Sequence, residues 1–133
     1  MGSRLLVLDA SVGVKWFVPE PGRDEALALL RQAATGEVTL VVPDLFVYEV
    51  LRTVRRKVDD ASAREAVEFF ESVGLVAVPP VAHVLRAALD QTAVLGCDFY
   101  HACAPAIAAM LDAELYSADR HAHAAFPGVH LIG

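Results

Sequence analysis

Short apolar runs alternate with longer helical patterns along the whole chain. Leu5–Leu8, Thr39–Val42, Leu75–Val78, Leu115–Ser117 and Val129–Ile132 are brief, rich in leucine or β-branched residues, and bounded by Pro, Gly or Asp. They read as buried strands. The stretches between them read as helices. Asp24–Ala34 carries apolar residues at Ala26, Leu27, Leu29, Leu30 and Ala33 and stops near Gly36. Asp44 is placed to cap a helix running to about Val58, and Ser62 with Glu65 forms a capping box opening a helix to about Val73. Val81–Val94 follows, closed by Gly96, then Asp98–Leu111 and a short helix over Ala118–Ala125. Strands that alternate with helices form a parallel sheet covered on both faces. The fold class is α/β, and 133 residues suit one domain spanning 1–133.

In such sheets ligands bind outside the carboxyl ends of the strands. Asp9 stands at the end of the first strand and Asp119 just past the end of the fourth. Glu49 follows the second within two helical turns. Three acids distant in sequence thus converge on one rim. Packed carboxylates repel each other, and burial makes this worse, so a cluster persists by sharing protons or binding cations. Mg²⁺ favours carboxylate and water oxygens. Two such ions about 4 Å apart activate a water and stabilise the leaving oxygen of a phosphodiester, with no nucleophilic Ser or Cys. Each acid also has a plainer reading. Asp9 and Asp119 are placed to cap the turns after them. Glu49 is less easily explained as merely solvated, because Phe46, Val47, Tyr48, Val50 and Leu51 around it are apolar.

The net charge of −6 counts against a phosphate-backbone binder at first sight. The objection weakens if the acids are clustered, because bound cations reverse the local field where RNA would lie. Cys97 and Cys103 match no zinc spacing and read as small buried hydrophobes. No apolar run nears the ~20 residues of a membrane span, and Leu5–Leu8 is too short for a signal peptide. The expected location is cytoplasmic, away from membranes.

The stretch from Leu6 through Asp9 and Trp16 to Glu20 resembles the opening of PIN-domain toxins of the VapC type. Pro43 through Glu49 to Val50 is similar to their second block, and Tyr100 through Asp119, ending Tyr116-Ser117-Ala118-Asp119, to their third. The resemblance covers nearly the whole chain in order. It implies a PIN-like three-layer sandwich around a central parallel sheet of about five strands in order 3-2-1-4-5. It implies a Mg²⁺ or Mn²⁺ pocket of four acids and metal-dependent endoribonuclease activity. Asp9, Glu49 and Asp119 carry over directly as catalytic and metal-binding residues. Ser11 and Ser117 stand where the family has a small hydroxyl supporting a carboxylate or a metal's water.

The third acid departs from the pattern. The family acid follows an aromatic residue and precedes a small one, yet Tyr100 and Ala102 bracket His101. Asp98 lies one turn earlier. Either Asp98 completes the acids, or His101 takes the metal itself, or the site is weakened and the domain serves as a protein- or RNA-binding module. Imidazole suits Mn²⁺ and other transition metals better than Mg²⁺. Asp98 is also well placed as a helix N-cap after Gly96. Pro105 should kink the following helix or mark its first turn.

Arg52, Arg55, Arg56 and Lys57 cluster after Glu49, either as a solvated helix end or as a phosphate-contacting patch. Arg52 could instead pair with Glu49. Lys15 is a further candidate RNA contact, whereas Trp16 reads as core or dimer contact. His83, His121, His123 and His130 show no ligand spacing and read as surface or packing residues, with 121–128 forming a loop over the rim. The resemblance further implies RNA as substrate, a cognate antitoxin whose tail lies in the groove, and a homodimer. A receiver domain would need an acidic pair after the first strand, but Leu8 precedes Asp9; an aspartyl phosphatase would need a second Asp where Ser11 stands.

Overall fold

Five strands form one sheet in the computed structural model, which describes residues 2–133. They are β1 (Arg4–Leu8), β2 (Val38–Pro43), β3 (Val76–Val78), β4 (Glu114–Ser117) and β5 (His130–Leu131). Their order is β3-β2-β1-β4-β5, and every neighbouring pair is parallel. β1 is central: Val7 lies in register between Val41 of β2 and Leu115 of β4.

Successive side chains of a strand point to opposite faces, and both faces here are apolar. Leu6 and Leu8 join Leu40 and Val42 on one face. Trp16 and residues of three helices cover them: α2 (Arg23–Ala34), α3 (Asp44–Lys57) and α4 (Asp60–Ser72). Val7, Val41 and Leu115 face the other way, against α5 (Ala82–Leu95) and α6 (Phe99–Leu111). The result is three layers, helix on sheet on helix. A fully buried side chain such as Leu6, Leu8 or Phe46 contributes roughly 1.5–3 kcal/mol. Among the described residues no single helix is long and apolar enough to cross a membrane.

The chain turns sharply after β1 into a four-residue helix α1 (Ala10–Gly13) and a 3-10 turn over Val14–Trp16. Gly13 is required there, because a Cβ would run into the Phe46 ring. Trp16 belongs to the core, its indole N–H donating to the Ala26 carbonyl at 3.0 Å.

Helix starts differ from expectation in two places, each for a local reason. Pro43 takes the cap position of α3, so Asp44 lies inside the first turn, where its charge still favours the helix dipole. The Ser62–Glu65 capping box does not form. Asp59 accepts the Ser62 N–H at 2.7 Å and starts α4 two residues earlier, a carboxylate being the stronger acceptor. Gly96 closes α5 in the left-handed conformation (φ 68). Pro105 lies well inside α6, beyond its first turn. The short helix expected over Ala118–Ala125 forms as α7 (Arg120–His123), so the rim loop expected over 121–128 begins only after it.

Candidate functional site

The carboxyl edge of the sheet gathers the acids. Asp9 follows β1 and caps α1, Asp98 caps α6, and Asp119 follows β4 and caps α7. Capping fixes how each carboxylate points. Asp9 Oδ2 accepts the Ser11 N–H at 3.0 Å and the Ser11 hydroxyl at 2.6 Å. Asp119 Oδ1 accepts the Ala122 N–H at 3.0 Å, which leaves Oδ2 to face the pocket. Capping and a pocket role, set against each other in the sequence, are therefore compatible in one side chain.

The two serines tie strand ends together. Ser11 Oγ, while donating to Asp9, accepts the Ala118 N–H at 2.9 Å across the β1–β4 seam. Ser117 Oγ accepts the Asp119 N–H at 3.0 Å.

His101 lies in the first turn of α6, between two carboxylates. Its Nδ1 is 2.9 Å from Asp98 Oδ1 and its Nε2 is 3.3 Å from Asp119 Oδ2. A carboxylate only accepts, so Nδ1 carries a hydrogen toward Asp98. Asp98 Oδ1 also accepts the backbone N–H of His101 at 3.0 Å. That bond, with the imidazole beside it, holds the Asp98 carboxyl below the usual carboxylate range. Asp98 thus faces the His101 ring and its own helix, while the ring reaches Asp119.

Glu49 is exposed on α3, as is Tyr48 beside it. The apolar side chains around it in sequence turn to other sides of the helix, with Phe46 and Val50 in the core. Its pKa is nonetheless raised, first by partial burial of the carboxyl and then by the charge of Asp9, with Asp98 adding and His101 and Arg52 opposing. Asp9, Glu49, Asp98 and His101 therefore act on one another electrostatically. Burial, followed by the charges of Asp44, Glu49, Asp98 and Asp9, pushes the Cys103 thiol up to about 11. It is protonated and inert at neutral pH. Among the described residues, no group of three or more His, Cys, Asp or Glu side chains is already arranged to hold a metal ion.

The basic candidates divide. Lys15 is largely buried at the wall of the cavity beside Asp119, where its ammonium donates to Glu20 Oε1 at 3.1 Å and to the Pro21 carbonyl at 2.6 Å. Burial so near Glu20 makes it a structural ion pair. Arg55 is exposed and bound to Asp60 at 3.2 Å. Arg52 and Arg56 are exposed, and Arg52 acts on Glu49 through space. A cavity of about 450 Å³ opens beside Asp119, lined by Ser11, Thr53, Lys57 and Arg120 among others.

The sequence reading missed one group. His123 is fully buried, with Nδ1 2.6 Å from Ser117 Oγ and Nε2 2.6 Å from the His101 carbonyl oxygen. The available signal was Pro105, four residues after His101, which withholds the helical donor for that carbonyl.

Sequence comparison agrees with this geometry: the PIN domain family profile matches residues 6–125. The chain belongs to the PIN domain family. No curated protein matches it in sequence. Solved structures share the PIN fold at low identity. Mycobacterium tuberculosis VapC20, a sarcin-ricin loop cleaving toxin, is 15% identical, with a TM-score of 0.71 over 93% of this chain and 98% of that one. The VapBC2 structure from Rickettsia felis, bound to a promoter DNA fragment, is 14% identical, with a TM-score of 0.72 and 96% of each chain covered. A toxin–antitoxin complex from Klebsiella pneumoniae is 14% identical, with a TM-score of 0.71 over 94% and 95%. The sheet order and flanking helices of this PIN domain are those of the VapC structures.

Proposed function

We propose that this PIN domain is a metal-dependent endoribonuclease and the toxin of a toxin–antitoxin pair. The observation that carries the reading is the row Asp98–His101–Asp119. With Nδ1–H given to Asp98, a ring that holds no second hydrogen turns its Nε2 lone pair toward an Asp119 oxygen 3.3 Å away. Such a contact needs either a second ring hydrogen or a cation between or beside the two groups. The gap suits neighbouring ligands of one octahedral ion, whose separation is roughly 3 Å for bonds near 2.1 Å. The raised pKa of Glu49, due first to burial and then to the charge of Asp9, points the same way, since a bound cation offsets both.

Although among the described residues the side chains are not already gathered around one point, the chemistry of the donor set suits a divalent ion. Asp9, Glu49, Asp119 and His101 Nε2 would hold it, and Asp98 would orient the imidazole as carboxylates commonly do for histidine ligands. A mixed imidazole and carboxylate set favours Mn²⁺ over Mg²⁺. When bound, the ion supplies a Lewis acid for the phosphodiester and lowers the pKa of an attacking water. Ser11 holds Asp9 in place and Ser117 the Asp119 backbone. Lys57 and Arg120 supply positive charge beside Asp119 for RNA phosphates, with Arg52 and Arg56 farther along α3. The toxin–antitoxin complex and the VapBC structures among its structural neighbours support an antitoxin as partner. Leu85 and Leu89, one turn apart, leave exposed apolar side chains on one face of α5, which suits a homodimer.

One observation favours a second reading, a binding module without catalysis. A protonated His101 would bridge Asp98 and Asp119 as a built-in cation and remove the need for metal. RNA cleavage by the purified protein, freed of antitoxin, with Mg²⁺, Mn²⁺ or chelator decides between them. Metal-dependent cleavage that Asp9→Asn abolishes in a folded protein supports the nuclease. No cleavage with either metal supports the binding module, and cleavage retained by Asp9→Asn rules out the proposed site.

A further inference from the structure

We infer that His123 is a positioning residue, which sets the spacing between His101 and Asp119 by bracing the strand end that carries one against the helix turn that carries the other. The inference rests on the nuclease reading for its functional meaning.

Hydrogen-bond accounting supports this. In α6 the carbonyl of His101 should accept the N–H four residues later, but that residue is Pro105, which has none. His123 Nε2 supplies the missing donor at 2.6 Å. A carbonyl oxygen only accepts, so Nε2 must carry hydrogen. In the neutral ring Nδ1 is then an acceptor, satisfied by the Ser117 hydroxyl at 2.6 Å. Ser117 Oγ in turn accepts the Asp119 N–H at 3.0 Å. Every polar atom of the fully buried ring has a partner, and no ring charge is needed.

The chain of bonds begins at the His101 backbone, passes through the ring and the Ser117 hydroxyl, and ends at the Asp119 backbone. The side chains of those two end residues are the ones that meet at 3.3 Å. The imidazole is rigid and both its bonds are short, so it acts as a spacer. A flexible side chain would let α6 and the end of β4 slide against each other. Such movement weakens metal sites: loss of an outer-shell partner commonly costs about 10- to 100-fold in affinity.

A double-mutant cycle tests the inference. His123→Ala, Pro105→Ala and the double variant are compared with the wild type by Mn²⁺ titration and by imidazole ¹⁵N spectra without metal. The expected wild-type spectrum has His123 in the Nε2–H tautomer. His123→Ala should weaken Mn²⁺ binding by about 10- to 100-fold and move the His101 ring signals. Pro105→Ala alone should change little. Added to His123→Ala, it returns an N–H to the His101 carbonyl within α6 but not the link to Ser117, so the loss of Mn²⁺ affinity should persist in the double variant. If His123→Ala fails to fold, His123→Gln, which reaches one partner but not both, is expected to show a smaller loss of Mn²⁺ affinity together with moved His101 signals. A variant that only melts earlier, with unchanged Mn²⁺ affinity and unmoved His101 signals, overturns the inference. So does recovery of most of the loss in the double variant, which would assign it to the unpaired His101 carbonyl and not to a brace between α6 and β4. If the wild type binds no Mn²⁺ and cleaves no RNA, the nuclease reading fails by itself. The spectra then decide the spacer role: moved His101 signals in the His123 variant uphold it, and unmoved signals overturn it.

Discussion

His101 Nε2 lies 3.3 Å from Asp119 Oδ2, and the histidine stands where an acid is expected from the family pattern. An imidazole in that position biases the pocket toward softer divalent ions. His101→Asp should therefore shift metal preference. Mg²⁺-supported RNA cleavage should rise about tenfold relative to Mn²⁺-supported cleavage, in line with a ligand-type effect of one to two kcal/mol. Cleavage rates at saturating concentrations of each metal check it, and an unchanged ratio would remove His101 from the ligand set.

Asp98 tests a different link, because it touches His101 and its own helix rather than Asp119. Asp98→Asn keeps a good N-cap while removing the charge that fixes the ring. The expected result is near wild-type melting with Mn²⁺ affinity lowered about tenfold. Asp98→Ala should add a stability loss of about 1 kcal/mol from the missing cap. Calorimetric melting and Mn²⁺ titration separate the two effects; if Asp98→Asn abolishes binding as fully as Asp9→Asn, Asp98 is a ligand in its own right.

The raised pKa of Glu49 makes a prediction about pH. The folded chain holds that proton more tightly than the unfolded chain, so stability falls as pH rises from the ordinary glutamate value through the raised folded value. Above that window the ionised carboxylate destabilises the metal-free fold. Glu49→Gln should then melt at a higher temperature than wild type at neutral pH, and the gain should vanish below the ordinary glutamate range. Added Mn²⁺ should reverse the ranking, because it stabilises the wild type more. Thermal melts across pH, with and without Mn²⁺, provide the check, and a lower melting temperature for the metal-free variant at neutral pH would contradict it.

Lys15 should matter for folding rather than for RNA. Its ammonium is buried on Glu20 and the Pro21 carbonyl. Lys15→Met should cost about 1.5–3 kcal/mol, the range for hydrogen bonds to charged groups. In protein that remains folded, RNA affinity should stay within about twofold, whereas Lys57→Ala or Arg120→Ala should lower it and flatten its salt dependence. Urea unfolding and RNA titration at two salt concentrations test both halves.

Much of the fold was legible because its signals are local and repeated. The five apolar runs became the five strands, since brief β-branched segments between turn residues have few other ways to be buried. Boundaries slipped where two capping groups competed, as Asp59 did with Ser62, because neighbouring candidates look alike in sequence and differ in acceptor strength and backbone angle. The strand order came from resemblance, since local pattern fixes strands and not their neighbours. The positions of Asp9 and Asp119 just after β1 and β4 were legible from their intervals after strands. The ion pair of Lys15 was not legible, because a sequence does not say that a lysine finds an acid and a carbonyl beside it.

The sequence by itself determined that this chain is α/β, which runs become strands, and that acids gather where strands end. It did so because periodicity and turn chemistry act over a few residues. Only the tertiary structure decided how Asp98, His101 and Asp119 line up, and that a fully buried His123 meets a carbonyl bared by Pro105. Those relations join α6, β4 and α7. A hydrogen bond between such elements depends on distances of a few tenths of an ångström that packing alone sets.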